Sequence, residues 1–258
     1  MNLDWRRLKA VVLQSDDWGL CAWAPDEEGF RALADTPAWR SAPGRVYGRS
    51  TLERADDVSR LAETLLEFRD RDGFPAVLQA NTVMATPDFW RLEPPTFECD
   101  ALPLVHYPEF PSRWRRPGLE AAVHRAARGA WSRGLPAIVS THRLNYAHLD
   151  SEWSERGRGA LRDLCSRLVG DGATFLTDAE VRSLQERAWS VRRVGKHGVL
   201  LRHHGVARAR VRFAGPVGIS GVSISKGHGS ESARVSIEGG EIAAEVDPGV
   251  YFLGWGRP

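Results

Sequence analysis

Cysteine is scarce in this chain: Cys21, Cys99 and Cys165 are the three, far apart and without CxxC spacing. That excludes a disulfide framework or a cysteine-built structural zinc cluster and suits a reducing compartment. No window approaches the ~18 apolar residues of a membrane span. The opening Met1-Asn2-Leu3-Asp4-Trp5-Arg6-Arg7 lacks the apolar stretch of a signal peptide. The expectation is a soluble, cytoplasmic protein with no membrane partner. An excess of charge of one sign is missing too: 35 basic residues face 33 acidic ones, a formal net charge of +2. A nucleic-acid binder concentrates basic residues on one face, so no nucleic-acid partner is expected. Few of the basic residues are lysine. There is no GxGxxG after the first strand, no Walker-type Gly-Lys-Ser/Thr, no GxSxG elbow, no solenoid-length repeat and no low-complexity tract.

What is present is enough for a large domain, or a large one and a small one: 258 residues, 42% hydrophobic and 26% charged. Through the first two-thirds, short apolar runs alternate with helical patterns. Strands are expected at 9–14, 75–80, 103–106, 136–141 and 173–176. Helices are expected at 26–34, 51–72, 119–133 and 154–169, and a last one opens at Thr177-Asp178-Ala179-Glu180 with a cap and early acids. Alternation of this kind implies a parallel sheet covered by helices, open or closed as a barrel. From about residue 189 the pattern becomes short Val- and Gly-rich alternating runs (198–202, 209–213, 233–237, 241–246, 249–253), with Gly239-Gly240 as a tight hairpin. The reading is therefore an α/β domain over 1–188 and a small antiparallel β domain over 189–258.

Chemistry-bearing residues gather where the strands end. The apolar run Ala10-Val11-Val12-Leu13 leads into Gln14-Ser15-Asp16-Asp17-Trp18-Gly19. Adjacent carboxylates repel unless a cation or a proton lies between them, and alternation along a strand lets the two take different jobs. The second strand ends at Asn81, the third at His106-Tyr107-Pro108-Glu109, and the fourth at His142-Arg143-Leu144-Asn145-Tyr146. Only the carboxyl edge of a parallel sheet collects all four. One carboxylate with two imidazoles suits zinc or a similar divalent ion, so Asp17, His106 and His142 are the expected ligands. Asp16 is then the general base, Arg143 stabilises an oxyanion or pairs with Asp16, and His142 or His148 is the candidate acid. Trp18, Asn81, Tyr107, Glu109, Asn145 and Tyr146 are the candidate substrate contacts. Eight of the ten tryptophans fall in the first 153 residues, and flat aromatic rings suit apolar sugar faces.

The Ser15-Asp16-Asp17-Trp18-Gly19 segment resembles the Asp-Asp motif of the polysaccharide deacetylases, the NodB-homology family and its relatives. Val139-Ser140-Thr141-His142-Arg143-Leu144-Asn145-Tyr146 is similar to the histidine-bearing strand end of deacetylase-like proteins. The resemblance implies an irregular (β/α) barrel of about seven strands and a divalent metal. It also implies hydrolysis of an acetyl group on an amino sugar or polysaccharide, with Asp16 as base and Asp17 as metal ligand. The sequence departs from the family in having no His-x-x-x-His motif, and in reading Asp-Asp-Trp-Gly where Asp-Asp-Gly is usual. Two other readings stand beside it. One is a glycoside hydrolase pairing Asp16 or Asp17 with Glu109. The other is a non-catalytic carbohydrate-binding protein in which the tryptophans and the β domain bind. A homo-oligomer through the β domain stays open.

Overall fold

The structure, a computed structural model, describes residues 3–19, 26–34, 49–51, 53–82, 105–106, 119–215, 221–227 and 233–255. Its elements fall into two compact units, residues 5–175 and, with the residues before Trp5, the chain from Leu176 onward.

The first unit contains α1 (Trp5–Leu8), β1 (Ala10–Trp18), α2 (Glu27–Ala34), α3 (Ala55–Leu66), β2 (Leu78–Thr82), β3 (Val105–His106), α4 (Leu119–Ser132), β4 (Ala137–His142), a 3-10 turn (Arg143–Asn145), α5 (Ser151–Gly170) and β5 (Thr174–Phe175). The strands pair in the order β2-β1-β4-β3, all parallel, and β5 adds to the start of β1. β1 is central, and Ala10, Val11, Val12 and Leu13 are all buried, as a strand covered on both faces requires. Val11, Leu13 and Val139 from the sheet pack with Val123, Trp131, Leu161 and Leu164 from the helices.

The α/β class is as expected, but among the described residues no closed barrel forms. β2 and β3 each have a single described neighbour, and the described residues contribute five strands to this sheet. The helix expected over 51–72 is shorter, at Ala55–Leu66. The buried Asp70 explains its early end: the carboxylate accepts from the N–H groups of Asp72 and Phe74 at 3.0 Å each, building a turn that competes with the helix. Arg69 bridges Pro75 in the same turn, which moves β2 to 78–82 and puts Asn81 within the strand.

The second unit contains α6 (Asp178–Arg187), β6 (Trp189–Val194), β7 (Gly198–His203), β8 (Ala209–Ala214), β9 (Ser223–Lys226), β10 (Ala233–Glu238), β11 (Glu241–Val246) and β12 (Gly249–Gly254). Two antiparallel sheets, β10-β11-β8 and β6-β7-β12-β9, share a core of Val199, Leu201, Val211, Ile242, Tyr251 and Leu253. Gly239 and Gly240 both have positive φ (59° and 84°), which the β10–β11 hairpin needs. α6 was expected in the first domain but packs with these strands. Its buried Glu180 receives Arg202 at 2.7 Å and Arg192 at 3.1 Å. Thr177 and Glu180 cap the helix reciprocally, as the sequence suggests. Among the described residues no helix is long and apolar enough to cross a membrane.

Candidate active site

The register of β1 against β4 sets the site. Val11 lies opposite Ala137, and the pairing runs on until Asp16 lies opposite His142 at the carboxyl ends of both strands. On the other side of β1, Ser15 pairs with Ala80 and Trp18 with Thr82. Asp16 and Asp17 therefore oppose Asn81 alone, a bulge with one extra residue. Asp17 accommodates it by taking a left-handed backbone, φ 68°. Asp is among the few residues that tolerate this conformation, and bulges of this kind re-aim side chains.

The two acids acquire separate partners. One oxygen of Asp16 accepts from the Asn81 amide at 2.6 Å, and the other accepts from the Ser140 hydroxyl at 3.1 Å. Gln79 donates to the Asn81 carbonyl at 3.2 Å, which orients that amide. The carboxylate of Asp17 lies 3.2 Å from Nδ1 of His142. This hydrogen bond holds the Asp17 carboxyl below the usual carboxylate range; partial burial opposes it, and the charges of His142 and Arg143 reinforce it. The side chain of Asp17 keeps 39% of its surface open while that of His142 keeps 15%, so the pair is reachable from solvent.

Arg143 is placed differently from its expected role. Only 1% of its surface is accessible. Its Nε donates to the main-chain carbonyl of Asp17 at 2.9 Å, and Nη1 lies 3.6 Å from Glu53. It holds the backbone of the acid pair and is not open to an oxyanion. Asn145 and Tyr146, expected to contact substrate, are 3% and 2% exposed, and both donate to the Thr141 hydroxyl, at 2.8 and 3.2 Å. Burial pushes the Tyr146 phenol upward. Trp18 is buried in the core with Trp131. Asn145 and Tyr146 are packed in because the turn after β4 folds back onto α5, and Trp18, likewise an expected contact and the last residue of β1, is packed into the core. His148 stacks on Trp153, ring centres 5.3 Å apart, and accepts the Asp150 N–H at its Nδ1.

The backbone of His106 pairs with Ser140 on β4, which brings the third expected ligand to the same sheet edge; its side chain, Tyr107 and Glu109 lie outside the described residues. Among the described residues no cluster of three or more His, Cys, Asp or Glu groups forms. Two site residues went unnoticed in the sequence. Ser140 was findable, since two residues before His142 on a strand is the same face. Glu53, which accepts the Gly19 N–H at 3.0 Å, carries no spacing signal. No protein-family model matches this chain, and neither does any curated protein or any solved structure.

Proposed function

We propose that the chain is a divalent-metal-dependent hydrolase that removes an acetyl group from an amino sugar or a polysaccharide. The observation that carries this reading is the Asp17–His142 pair with Asp16 immediately beside it. A carboxylate oxygen and an imidazole nitrogen bound to one tetrahedral zinc ion at about 2.0–2.1 Å stand about 3.3 Å apart. The 3.2 Å between Asp17 Oδ2 and His142 Nδ1 fits that span. Asp17, His142 and, from the neighbouring strand, His106 are the residues that would hold the ion. A divalent cation bound there acidifies water and polarises an acyl carbonyl.

The remaining work falls to the chain's own groups. Asp16 is the base that takes the proton of the attacking water. Asn81 and Ser140 each occupy one lone pair of its carboxylate, fixing the orientation while leaving others open. The proton it takes up is the one the departing amine needs, so Asp16 serves both halves of the reaction. Arg143 keeps the carbonyl of Asp17, and with it the acid pair, in place. Metal-assisted hydrolysis is what this geometry supports; the acetyl bond and the sugar class rest on the likeness of Ser15–Gly19 to the deacetylase motif.

Elemental analysis of the purified protein tests the site. About one divalent ion per chain, lost in Asp17→Ala and in the His106→Ala/His142→Ala double variant, is the expected result. A wild type that stays metal-free after reloading overturns it. The choice then moves to the glycosidase or the non-catalytic binder, which differ in whether a glycosidic bond is cleaved.

A further inference from the structure

The two strand ends that carry Asp17 and His142 are joined by a residue outside both. Glu53 stands in the stretch just ahead of α3. Its Oε1 accepts the N–H of Gly19, two residues after Asp17, at 3.0 Å. Its Oε2 lies 3.6 Å from Nη1 of Arg143, the residue after His142. Arg143 in turn donates through Nε to the carbonyl of Asp17 at 2.9 Å. A guanidinium with 1% of its surface exposed needs an anion to compensate its desolvation. Glu53 supplies that anion and, with the same carboxylate, ties down the turn leaving β1. The closed circuit surrounds a residue that needs support, since Asp17 has φ 68°, where a Cβ crowds the backbone. Such a conformation persists only when its surroundings over-determine it.

We infer that Glu53 is a positioning residue: through Gly19 and Arg143 it holds the left-handed backbone of Asp17, and so fixes where the Asp17 carboxylate stands relative to His142. The value of this for metal holding rests on the function proposed above, but the brace itself does not. A shorter side chain at position 53 loosens the turn at Gly19, and a neutral one weakens the tie to Arg143, without touching any expected ligand.

Backbone amide exchange by NMR on the full chain, paired with calorimetric titration of Zn2+, tests this in Glu53→Ala and Glu53→Gln. In Glu53→Ala the Gly19 amide exchanges at least about tenfold faster, while the core amide of Val12 keeps its wild-type rate. Zn2+ affinity falls by at least about tenfold, as expected when a residue supporting a ligand is lost. Gln keeps the acceptor for Gly19 but not the charge facing Arg143, so Glu53→Gln retains the Gly19 protection and still loses Zn2+ affinity; it decides the matter if the alanine variant fails to fold. Gly19 exchanging at the wild-type rate in Glu53→Ala overturns the inference, and so does equal acceleration at Gly19 and Val12, which marks a general loss of stability. Unchanged Zn2+ affinity in a folded Glu53→Gln overturns it as well. A wild type that binds no Zn2+, while Gly19 alone accelerates in Glu53→Ala, rejects the metal reading and supports the brace.

Discussion

At the scale of single residues, the decisive feature is that two neighbouring acids do not share an environment. Asp16 is held by neutral donors from β2 and β4. Asp17 faces an imidazole and sits on a left-handed backbone. Alternation along a strand suggests that the pair diverges, but the bulge that separates them is not written in the spacing. It arises because three steps on β1 match two on β2. Asp16→Asn keeps the shape and one of the two hydrogen-bond acceptors while removing the proposed base, so turnover is expected to fall by about 10²–10⁴-fold with metal content intact. Steady-state rates and elemental analysis on the same preparation check this. Asp17→Asn probes the other acid. Asparagine also tolerates the left-handed backbone, so the main loss is the charge facing His142. Because the Asp17 carboxyl is lowered from 3.8 in the folded state, its stabilisation is complete above that pH and is lost as pH falls through the folded value. The difference in Tm between wild type and Asp17→Asn is therefore expected to close as pH drops below about 3.8, and thermal melts across acidic pH measure it. A gap that widens toward acid contradicts the assignment.

At the scale of elements, the turn after β4 owes its position to α5. Asp150 caps α5 by accepting from the N–H groups of Glu152 and Trp153. Gly157, in its second turn, lies directly against the Asn145 carbonyl, and a Cβ there would collide with main-chain atoms. Gly157→Ala is expected to push the Arg143–Asn145 turn off the helix and to cost about 1–3 kcal/mol. Denaturant melts and Zn2+ titration should both register the change; unaltered stability would mean that the turn has room to move. The sheet strands with continuous apolar runs, the Thr177–Glu180 cap of α6 and the Gly-Gly hairpin were legible, because burial on both faces, a capping box and paired positive φ leave marks in the sequence. Helix ends and special turns were not. Leu52 through Asp72 has helical periodicity, yet the Asp70 carboxylate competes for backbone N–H groups and ends the helix at Leu66. Trp189–Val194 escaped notice because Arg192 and Arg193 interrupt its apolar alternation; Arg192 turns instead to the buried Glu180. The burial of the candidate substrate contacts Asn145 and Tyr146 was not legible for a related reason. A polar residue after a strand end looks the same in sequence whether it faces solvent or closes a buried hydrogen bond on Thr141.

At the scale of the whole molecule, the two units have separate hydrophobic cores. The site residues Asp16, Asp17, Asn81, His142 and Arg143 all belong to the first. Residues 176–258 expressed alone are expected to give a β-type circular dichroism spectrum and a cooperative melt, since both sheets and α6 with its Glu180–Arg202 pair lie within them. A featureless spectrum would show that this unit depends on the first. Cys165 adds no chemistry to either unit, because burial pushes its thiol up to about 12, leaving it without the thiolate a nucleophile or ligand needs. The claim that binds all three scales is that the Asp17–His142 pair holds a divalent ion beside Asp16 for acetyl removal. Its most direct measurement is acetate release from an N-acetylated amino-sugar oligomer by the full chain, before chelation, after chelation and after restoring Zn2+. The account predicts acetate release that chelation abolishes and Zn2+ restores, and that Asp16→Asn lowers by about 10²–10⁴-fold. Acetate release indifferent to chelation, or sugar shortening without acetate, would contradict it.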